Sequence, residues 1–318
     1  PLAAAFLLAT FISLLVTPKL RDLSLRRKVV DLPGARKIHD TPTPRIGGIA
    51  ILIAFITSAT GIALSNPSVH GLAAEHIDYV VGIIAGSTIM AGVGLFDDLI
   101  DLGPKKKLVA QVGVASLAFA CGFQIEIIAL PFGITLDLGV FSYPVTTLWI
   151  VGIINALNLI DGLDGLAAGI GFLVLAFNFS QAVAHGDLLV ALVSASLAGA
   201  ILGFLRYNLN PSSIFMGDTG SMVIGYVLAV GAIQSGQTPA TTVALLTPTV
   251  AMAVPILDTL SAIARRLWQG RSPFSPDYGH IHHRLVERGL SQGQAVLVLY
   301  LVTALSVAGA AFLHFGLS

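Results

Sequence analysis

Long apolar stretches recur along the whole chain and are separated by short polar segments. A helix needs about 20 apolar residues to cross the hydrocarbon core of a bilayer, and charge-free runs of roughly that length predict ten transmembrane helices. The predicted spans are Pro1–Val16, Ile46–Leu64, Tyr79–Phe96, Leu108–Phe123, Pro144–Ile160, Leu166–Ala184, Leu188–Leu205, Thr219–Ile233, Thr241–Leu257 and Ala295–Phe315. The pattern therefore predicts an all-α polytopic membrane protein, with residues 1–318 forming one integral-membrane domain.

Two segments depart from this pattern of plain helices. Pro248 and Pro255 lie inside the ninth span and are expected to kink it, which a bundle of neighbouring helices tolerates. Between the fourth and fifth spans, Gln124–Val140 alternates apolar and polar residues around Pro131 and Gly133. This period of two predicts a small β-hairpin, which we expect on the extracytoplasmic side.

The basic residues lie on one side of the predicted membrane. All 17 Lys and Arg residues follow odd-numbered spans, and the positive-inside rule makes that side cytoplasmic. The cytoplasmic loops then cover about residues 17–45, 97–107, 161–165, 206–218 and 258–294. Such a concentration of cations would also favour the binding of a polyanion on this side.

Composition narrows the class of protein. Charged residues make up 11% of the chain and hydrophobic residues 55%, and the mean hydropathy is +0.87. Soluble domains carry about 25% charged residues, so an ordinary soluble enzyme and a nucleic-acid-binding protein are both excluded. The single cysteine, Cys121, excludes an intramolecular disulfide framework.

Several carboxylates cluster at the cytoplasmic ends of predicted spans. The third span ends in Asp97 and Asp98, the fifth is followed by Asp161 and Asp164, and the eighth is preceded by Asp218. Adjacent like charges near lipid are costly, and carboxylate oxygens are ligands that Mg²⁺ and Mn²⁺ prefer. The pattern therefore predicts a divalent-metal site, with helix capping as the alternative role for these acids.

Two basic loops lie on the same side as the acids. The first cytoplasmic loop contains Lys37, His39 and Arg45, and the last contains His280, His282, His283 and Arg284. Because Arg and His side chains donate hydrogen bonds to phosphate oxygens, both loops are predicted to bind phosphate. The alternatives are a simple topology signal in the first loop and a titrating surface cluster in the last. Acids, cations and histidines at one membrane boundary together predict phosphoryl chemistry on a lipid.

Six motifs occur in order on the predicted cytoplasmic face. They are HDTPTPRIGG, GLFDDLIDL, NALNLIDGLDGLAAG, RYNLNPSSIFMGDTGS, PILD and HIHHRL. Together they resemble the motifs of the polyprenyl-phosphate N-acetylhexosamine-1-phosphate transferases. The phospho-N-acetylmuramoyl-pentapeptide transferases are related enzymes, but Pro44-Arg45 before the paired glycines and the sequence HIHHRL resemble the hexosamine branch.

The resemblance implies transfer of a HexNAc-1-phosphate, with GlcNAc as the expected sugar, from a UDP-sugar to undecaprenyl phosphate. The products would be UMP and a lipid-linked diphospho-sugar, in the first membrane step of cell-envelope polysaccharide synthesis. It further implies Mg²⁺, with Mn²⁺ as a substitute, and an active site on the cytoplasmic face of the bacterial plasma membrane. The expected partners are the lipid carrier, the UDP-HexNAc and the bilayer, without nucleic acid. Gly-rich spans would permit a homodimer.

The resemblance also implies roles for individual residues. Asp97 and Asp98 match the paired acids that act on the carrier phosphate, and Asp218 and Asp98 are the expected metal ligands. His282 and His283 are further expected catalytic residues. The residues expected to bind substrate are Lys37, His39, Arg45, Asn158, Asp161, Asp164, Asn208, Phe215, His280 and Arg284. Among these, Phe215 matches the aromatic residue that stacks on uracil.

Other functions account for fewer of the motifs. An intramembrane prenyltransferase would use the Asp-rich segments but leaves Asp218, the histidines and the basic first loop unexplained. A CDP-alcohol phosphotransferase would need an arginine that the segment after Asp164 lacks. A transporter of lipid-linked sugars would favour polar groups at the bilayer midplane. The pentapeptide transferase remains the alternative within the same family.

Overall fold

Helices dominate the part of the chain that the computed structural model describes, which is residues 1–31, 42–130, 134–236, 246–272, 275, 277 and 279–316. In chain order the helices are α1 (Leu2–Arg27), α2 (Gly48–Ser65), α3 (Pro67–Glu75), α4 (Ile77–Ile100), α5 (Pro104–Ala120), α6 (Ser142–Ile160), α7 (Leu166–His185), α8 (Leu188–Asn208), α9 (Gly217–Gly236), α10 (Leu246–Ala251), α11 (Ala253–Trp268), α12 (Ile281–Glu287) and α13 (Gln292–Gly316). A short 3₁₀ turn, Gly139–Phe141, leads into α6.

Four short strands form two antiparallel pairs within the described residues. Strand β1 (Val30–Asp31) pairs with β2 (Thr43–Pro44), which brings the two ends of the first loop together. Strand β3 (Ile127–Leu130) pairs with β4 (Ile134–Asp137) inside the segment expected to form a hairpin. Residues 131–133 lie outside the described part of the chain, so the complete hairpin and its extracytoplasmic location stay predictions.

Seven helical segments among the described residues are long and apolar enough to cross a membrane. They are Leu2–Arg27, Gly48–Ser65, Ile77–Ile100, Gly139–Ile160, Leu166–His185, Leu188–Asn208 and Gln292–Leu313. Each overlaps one of the predicted spans, so the chain is a helical, multi-pass membrane protein. The count of ten spans stays a prediction, because the other three overlap α5, α9 and the α10–α11 pair.

The predicted ninth span, Thr241–Leu257, differs most from the structure. Its described part is broken at Met252 into α10 and α11, and the break falls between the two prolines expected to distort it. Helix α11 then continues beyond the predicted end. It does so because Asp258, Ala262 and Arg266, spaced four residues apart, are buried along one face. This spacing is that of an amphipathic helix.

Helices α8 and α9 hold the bundle together. Helix α8 packs against α1, α2 and α7, whereas α9 packs against α4, α6 and α7. The N-terminus of α9 therefore lies beside the C-terminal end of α4, which carries the first acidic motif. Gly48, the first residue of α2, also approaches this point, since a Cβ atom there would lie 2.1 Å from the backbone nitrogen of Gly220.

Replacing Gly48 with Ala should destabilise the protein. The added methyl group would meet the backbone of α9, which cannot rotate away, and overpacking of this kind costs about 1–3 kcal/mol. We expect a lower midpoint of thermal unfolding for the purified protein in detergent. Gly61→Ala is the matched control in the same helix, because its nearest neighbour would be a Leu8 methyl group at 4.0 Å. Equal midpoints for the two variants would contradict the close contact of α2 with α9.

Candidate active site

The carboxylate of Asp98 caps the N-terminus of α9 although it belongs to α4. Its Oδ1 accepts a hydrogen bond from the Asp218 N–H at 3.0 Å. Its Oδ2 accepts from the Thr219 N–H at 3.1 Å and from the Thr219 hydroxyl at 2.7 Å. Free N–H groups and the helix dipole favour a negative charge at this position. The side chain of Asp98 is fully enclosed, with 0% exposure, so the contact fixes α4 and α9 relative to each other.

Lys107 joins the neighbouring carboxylates Asp97 and Asp218. Its Nζ donates to Asp97 Oδ2 at 3.0 Å and to Asp218 Oδ2 at 2.8 Å. The other oxygen of Asp97 accepts from the Leu102 N–H at 3.0 Å, which fixes the chain as it leaves α4. Three predicted site residues, Asp97, Asp98 and Asp218, are thus brought together, and Lys107 neutralises charge between two of them.

Arg45 brings the loop between α1 and α2 to the same cluster. Its guanidinium lies 3.3 Å from Asp98 Oδ1 and 3.6 Å from Asp31 Oδ1. Backbone hydrogen bonds hold the loop beside the segment that precedes α9. The Phe215 N–H donates to the Pro44 carbonyl at 2.7 Å, and the Gly47 N–H donates to the Phe215 carbonyl at 3.0 Å. Phe215 is therefore held beside the acids, with a half-buried side chain.

Two predicted amides support the segment around α9. The Asn158 amide donates to the Ser221 hydroxyl at 2.9 Å, which ties the end of α6 to the second turn of α9. The buried Asn208 amide donates to the Ile214 carbonyl at 2.9 Å, just before Phe215. Both residues therefore shape the backbone of the site through contacts within the protein.

The two acids between α6 and α7 have different surroundings. Asp164 accepts hydrogen bonds from the Ser212 N–H at 3.0 Å, the Ser212 hydroxyl at 2.8 Å and the Asn210 amide at 3.0 Å, so it clamps two loops together. Asp161 accepts no side-chain hydrogen bond from the described residues. Burial, and then the charges of Asp218, Asp98 and Asp164, raise the pKa of Asp161 well above its usual value. A carboxylate in such surroundings favours a nearby cation.

Asp258 positions the histidine segment. Its Oδ2 lies 2.7 Å from His280 Nδ1, and its Oδ1 accepts from the Ile281 N–H at 2.8 Å at the start of α12. The rings of His280 and His282 are stacked, with centroids 5.7 Å apart, and the rings of His282 and His283 lie 4.2 Å apart. Asp258 therefore fixes His280, and through it the orientation of the cluster.

His282 connects this cluster to the acids between α6 and α7. A Cβ atom on Gly162, next to Asp161, would lie 2.2 Å from His282 Nε2. His282 is only 1% exposed, and neither ring nitrogen has a hydrogen-bond partner among the described residues. Burial, followed by the neighbouring His283 and His280, lowers the pKa of His282 to about 3. The ring is therefore neutral near neutral pH.

An ion pair between Arg265 and Asp277 stabilises the loop between α11 and α12. Asp277 accepts a hydrogen bond from the Arg265 guanidinium at 2.5 Å and from the Gly279 N–H at 3.0 Å. Although burial would raise the pKa of Asp277, these donors hold it below its usual value. Arg284, in contrast, is exposed on α12, where it is free to approach an anionic ligand.

Two residues that contact the predicted site were missed by sequence reasoning. Lys107 belongs to a run of three lysines that indicates topology, and only its place beside the apolar stretch of α5 hinted at an inward side chain. Asp258 ends the PILD motif, but the motif alone does not show that its carboxylate contacts His280. Lys37 and His39, both predicted to bind substrate, lie outside the described residues.

The arrangement suits a metal that takes part of its ligands from substrate. Among the described residues, no three His, Cys, Asp or Glu side chains are grouped to hold a metal ion. Mg²⁺ commonly binds one or two carboxylates together with substrate phosphates. Asp161 accepts no side-chain hydrogen bond from the described protein, and Asp218 accepts one, from Lys107, whereas both oxygens of Asp98 are engaged at α9. Asp161 and Asp218 therefore fit the predicted Mg²⁺ ion better than Asp98 does.

Comparison with known proteins agrees with these motifs. The profile of glycosyl transferase family 4 matches residues 80–236. The chain is 38% identical over 302 residues to the probable undecaprenyl-phosphate N-acetylglucosaminyl 1-phosphate transferase of Bacillus subtilis, covering 95% of this chain and 82% of that protein. The chain therefore belongs to glycosyl transferase family 4, as the sequence motifs predicted.

Two further relatives show the breadth of the similarity. The decaprenyl-phosphate N-acetylglucosaminephosphotransferase of Mycolicibacterium smegmatis is 40% identical over 333 aligned positions, covering 98% of this chain and 81% of that protein. The phospho-N-acetylmuramoyl-pentapeptide-transferase of a Thermoanaerobacter species is 32% identical over 317 positions, covering 95% and 94%. The resemblance thus extends to both branches that the sequence motifs suggested.

Replacing His282 with Gln should reduce the loss of stability on acidification. The pKa of His282 is about 3 in the folded protein, whereas a free imidazole has a pKa of about 6.5. Between these values the unfolded chain binds the extra proton, so this group's contribution to stability is complete above about pH 6.5 and falls as the pH is lowered. The melting temperature of wild-type protein should therefore drop more between about pH 7.5 and pH 5 than that of His282→Gln.

The control is His70→Gln, which changes an exposed imidazole on α3. It should melt like wild-type protein at each pH. An equal drop in melting temperature for wild-type protein and His282→Gln would show that His282 is not held neutral by burial.

Proposed function

We propose that this protein transfers N-acetylglucosamine-1-phosphate from UDP-N-acetylglucosamine to undecaprenyl phosphate and releases UMP. The reaction would occur on the cytoplasmic face of a bacterial plasma membrane, as the first membrane step in making a cell-envelope polysaccharide. The names of two relatives support the transferred group, N-acetylglucosamine-1-phosphate, and a polyprenyl-phosphate acceptor, which is undecaprenyl phosphate in one name and decaprenyl phosphate in the other.

The observation that carries the proposal is the meeting of four predicted acids and two cations at one end of the bundle. Asp97 and Asp98 at the end of α4 meet Asp218 at the start of α9, with Lys107 and Arg45 between or beside them. Asp161 is the fourth acid, and it lies close enough to Asp218 and Asp98 for their charges to raise its pKa. Chemistry at a phosphate anchored in the bilayer requires such a group of charges at a membrane boundary.

The attacking group in this proposal is the phosphate of the lipid carrier. A phosphomonoester has a second pKa of about 6, so the phosphate is mostly dianionic near neutral pH and needs little deprotonation. The main barrier is then the repulsion between two anionic substrates. Lys107 and Arg45 supply positive charge at the cluster, and Asp97 orients the carrier phosphate or accepts its remaining proton.

Mg²⁺, when bound, would neutralise the diphosphate of the donor and stabilise the leaving UMP. Asp218 and Asp161 would hold it, with phosphate oxygens as its other ligands. The histidine cluster and Arg284 would contact the diphosphate and sugar, with the neutral His282 ring as a hydrogen-bonding group. Phe215, held beside Pro44, would stack on the uracil.

The proposed donor distinguishes the two branches of the family. Pro44-Arg45 precedes the paired glycines, and Arg45 lies 3.3 Å from Asp98. This arginine belongs to the motif by which the sequence resembles the hexosamine branch and not the pentapeptide transferases. The greater identity to the two N-acetylglucosamine-named relatives than to the pentapeptide-transferase relative points the same way.

Asp218→Asn should abolish metal-dependent turnover while the protein still folds. The substitution keeps the shape and the backbone N–H that Asp98 caps, but it removes the charge that would bind the metal. We expect UMP release from UDP-N-acetylglucosamine and undecaprenyl phosphate to fall by about 100-fold or more. EDTA should stop the wild-type reaction, and added Mg²⁺ should restore it.

Asp22→Asn is the matched control, because it removes the same charge from an exposed position near the cytoplasmic end of α1. It should retain wild-type turnover. Activity in Asp218→Asn would remove Asp218 from the metal site. Release of UMP from UDP-N-acetylmuramoyl-pentapeptide alone would instead assign the protein to the other branch, and no UMP from any UDP-HexNAc would contradict the proposed reaction.

A further inference from the structure

Lys107 differs from the two lysines that precede it. Lys105 and Lys106 are exposed in the first turn of α5, whereas the side chain of Lys107 turns toward the acids and is 21% exposed. Its ammonium nitrogen lies 3.0 Å from Asp97 Oδ2 and 2.8 Å from Asp218 Oδ2. A single cation from α5 therefore contacts carboxylates from both α4 and α9.

Lys107 compensates for the repulsion between two carboxylates, Asp97 and Asp218, that the fold brings close together. The Asp98 cap draws the end of α4 onto α9, and this brings Asp97 and Asp218 into contact with the same ammonium group. Two carboxylates this close repel each other unless a cation lies between them. In this structure Lys107 supplies that cation.

A divalent metal at Asp218 would bind the same carboxylate that Lys107 contacts. Asp98 already accepts three hydrogen bonds from α9. In the metal site proposed above, Asp218 is therefore the carboxylate that a metal and Lys107 would share. A metal ion and an ammonium group at one carboxylate repel each other. Resting on the metal site proposed above, we propose that Lys107 is an internal counter-ion that a divalent metal displaces from Asp218.

The geometry allows this exchange without unfolding the site. Asp97 is held at its other oxygen by the Leu102 N–H, and Asp218 is held through its backbone by Asp98. Both acids therefore keep their places when the lysine moves. The lysine has a flexible four-carbon stem and a point charge, and its partial exposure gives it a route outward.

The test is metal binding without substrate, measured on the purified protein in detergent. The concentration of free Mn²⁺ can be followed by electron paramagnetic resonance during titration. Lys107→Met removes the competitor and should bind Mn²⁺ about tenfold more tightly than wild-type protein. Lys106→Met removes the same formal charge one residue away and should stay within about twofold of wild type. The melting temperature of Lys107→Met should also be lower in EDTA and recover more on adding Mn²⁺.

A measurement on wild-type protein keeps the inference testable if Lys107→Met does not fold. Acetylation of the three lysines can be compared by mass spectrometry in EDTA and in saturating Mn²⁺. Lys107 should be protected in EDTA and become more reactive with metal, relative to Lys105 and Lys106 in the same molecule.

Two outcomes would overturn the exchange. They are a Mn²⁺ affinity of Lys107→Met equal to or weaker than that of Lys106→Met, and an unchanged reactivity of Lys107 when metal binds. The metal site itself would be overturned by the turnover tests, if Asp218→Asn stayed active and EDTA had no effect, so the two failures are distinguishable.

Discussion

The capping of α9 by the Asp98 carboxylate is the interaction on which the site depends. A buried carboxylate is unfavourable unless it is paired and hydrogen-bonded, and Asp98 meets this condition with two backbone N–H groups and the Thr219 hydroxyl. The partners lie at a helix N-terminus, where the backbone already favours an anion. Because α4 and α9 are joined at this point, Asp97 and Asp218 are brought within reach of the same lysine.

The remaining parts of the site are arranged around this junction. Backbone hydrogen bonds hold Pro44 and Gly47 of the first loop beside Phe215, immediately before α9. Asn158 reaches the next turn of α9 through Ser221. On the other side, His282 lies against Gly162, beside Asp161. Acids, cations and histidines that are far apart in the sequence thus meet at one end of the bundle, where a lipid-borne phosphate and a nucleotide sugar could both approach.

Much of this architecture could be predicted from sequence, because apolar length and the positions of cations follow directly from the physics of a bilayer. The span predicted over Ile46–Leu64 corresponds to α2 at Gly48–Ser65, and the one over Leu188–Leu205 corresponds to α8 at Leu188–Asn208. The acidic and histidine motifs were also recognisable. What the pattern could not provide was the partner of each side chain. The Asp98 cap joins residues 120 positions apart, and the run of three lysines does not show which carboxylates Lys107 contacts. The break and extension around α11 were equally hidden, since they depend on which face of the helix other elements cover.

Labelled donor provides the most direct measurement of the central claim, that this site transfers a sugar phosphate and not a sugar. Purified protein would be given undecaprenyl phosphate and UDP-N-acetylglucosamine carrying radioactive phosphorus at either the β or the α position. The account predicts that the β label moves into the lipid fraction while the α label leaves as UMP. If the β label instead stays with the nucleotide as UDP, the bond that breaks is the one between sugar and phosphate, and the account is contradicted.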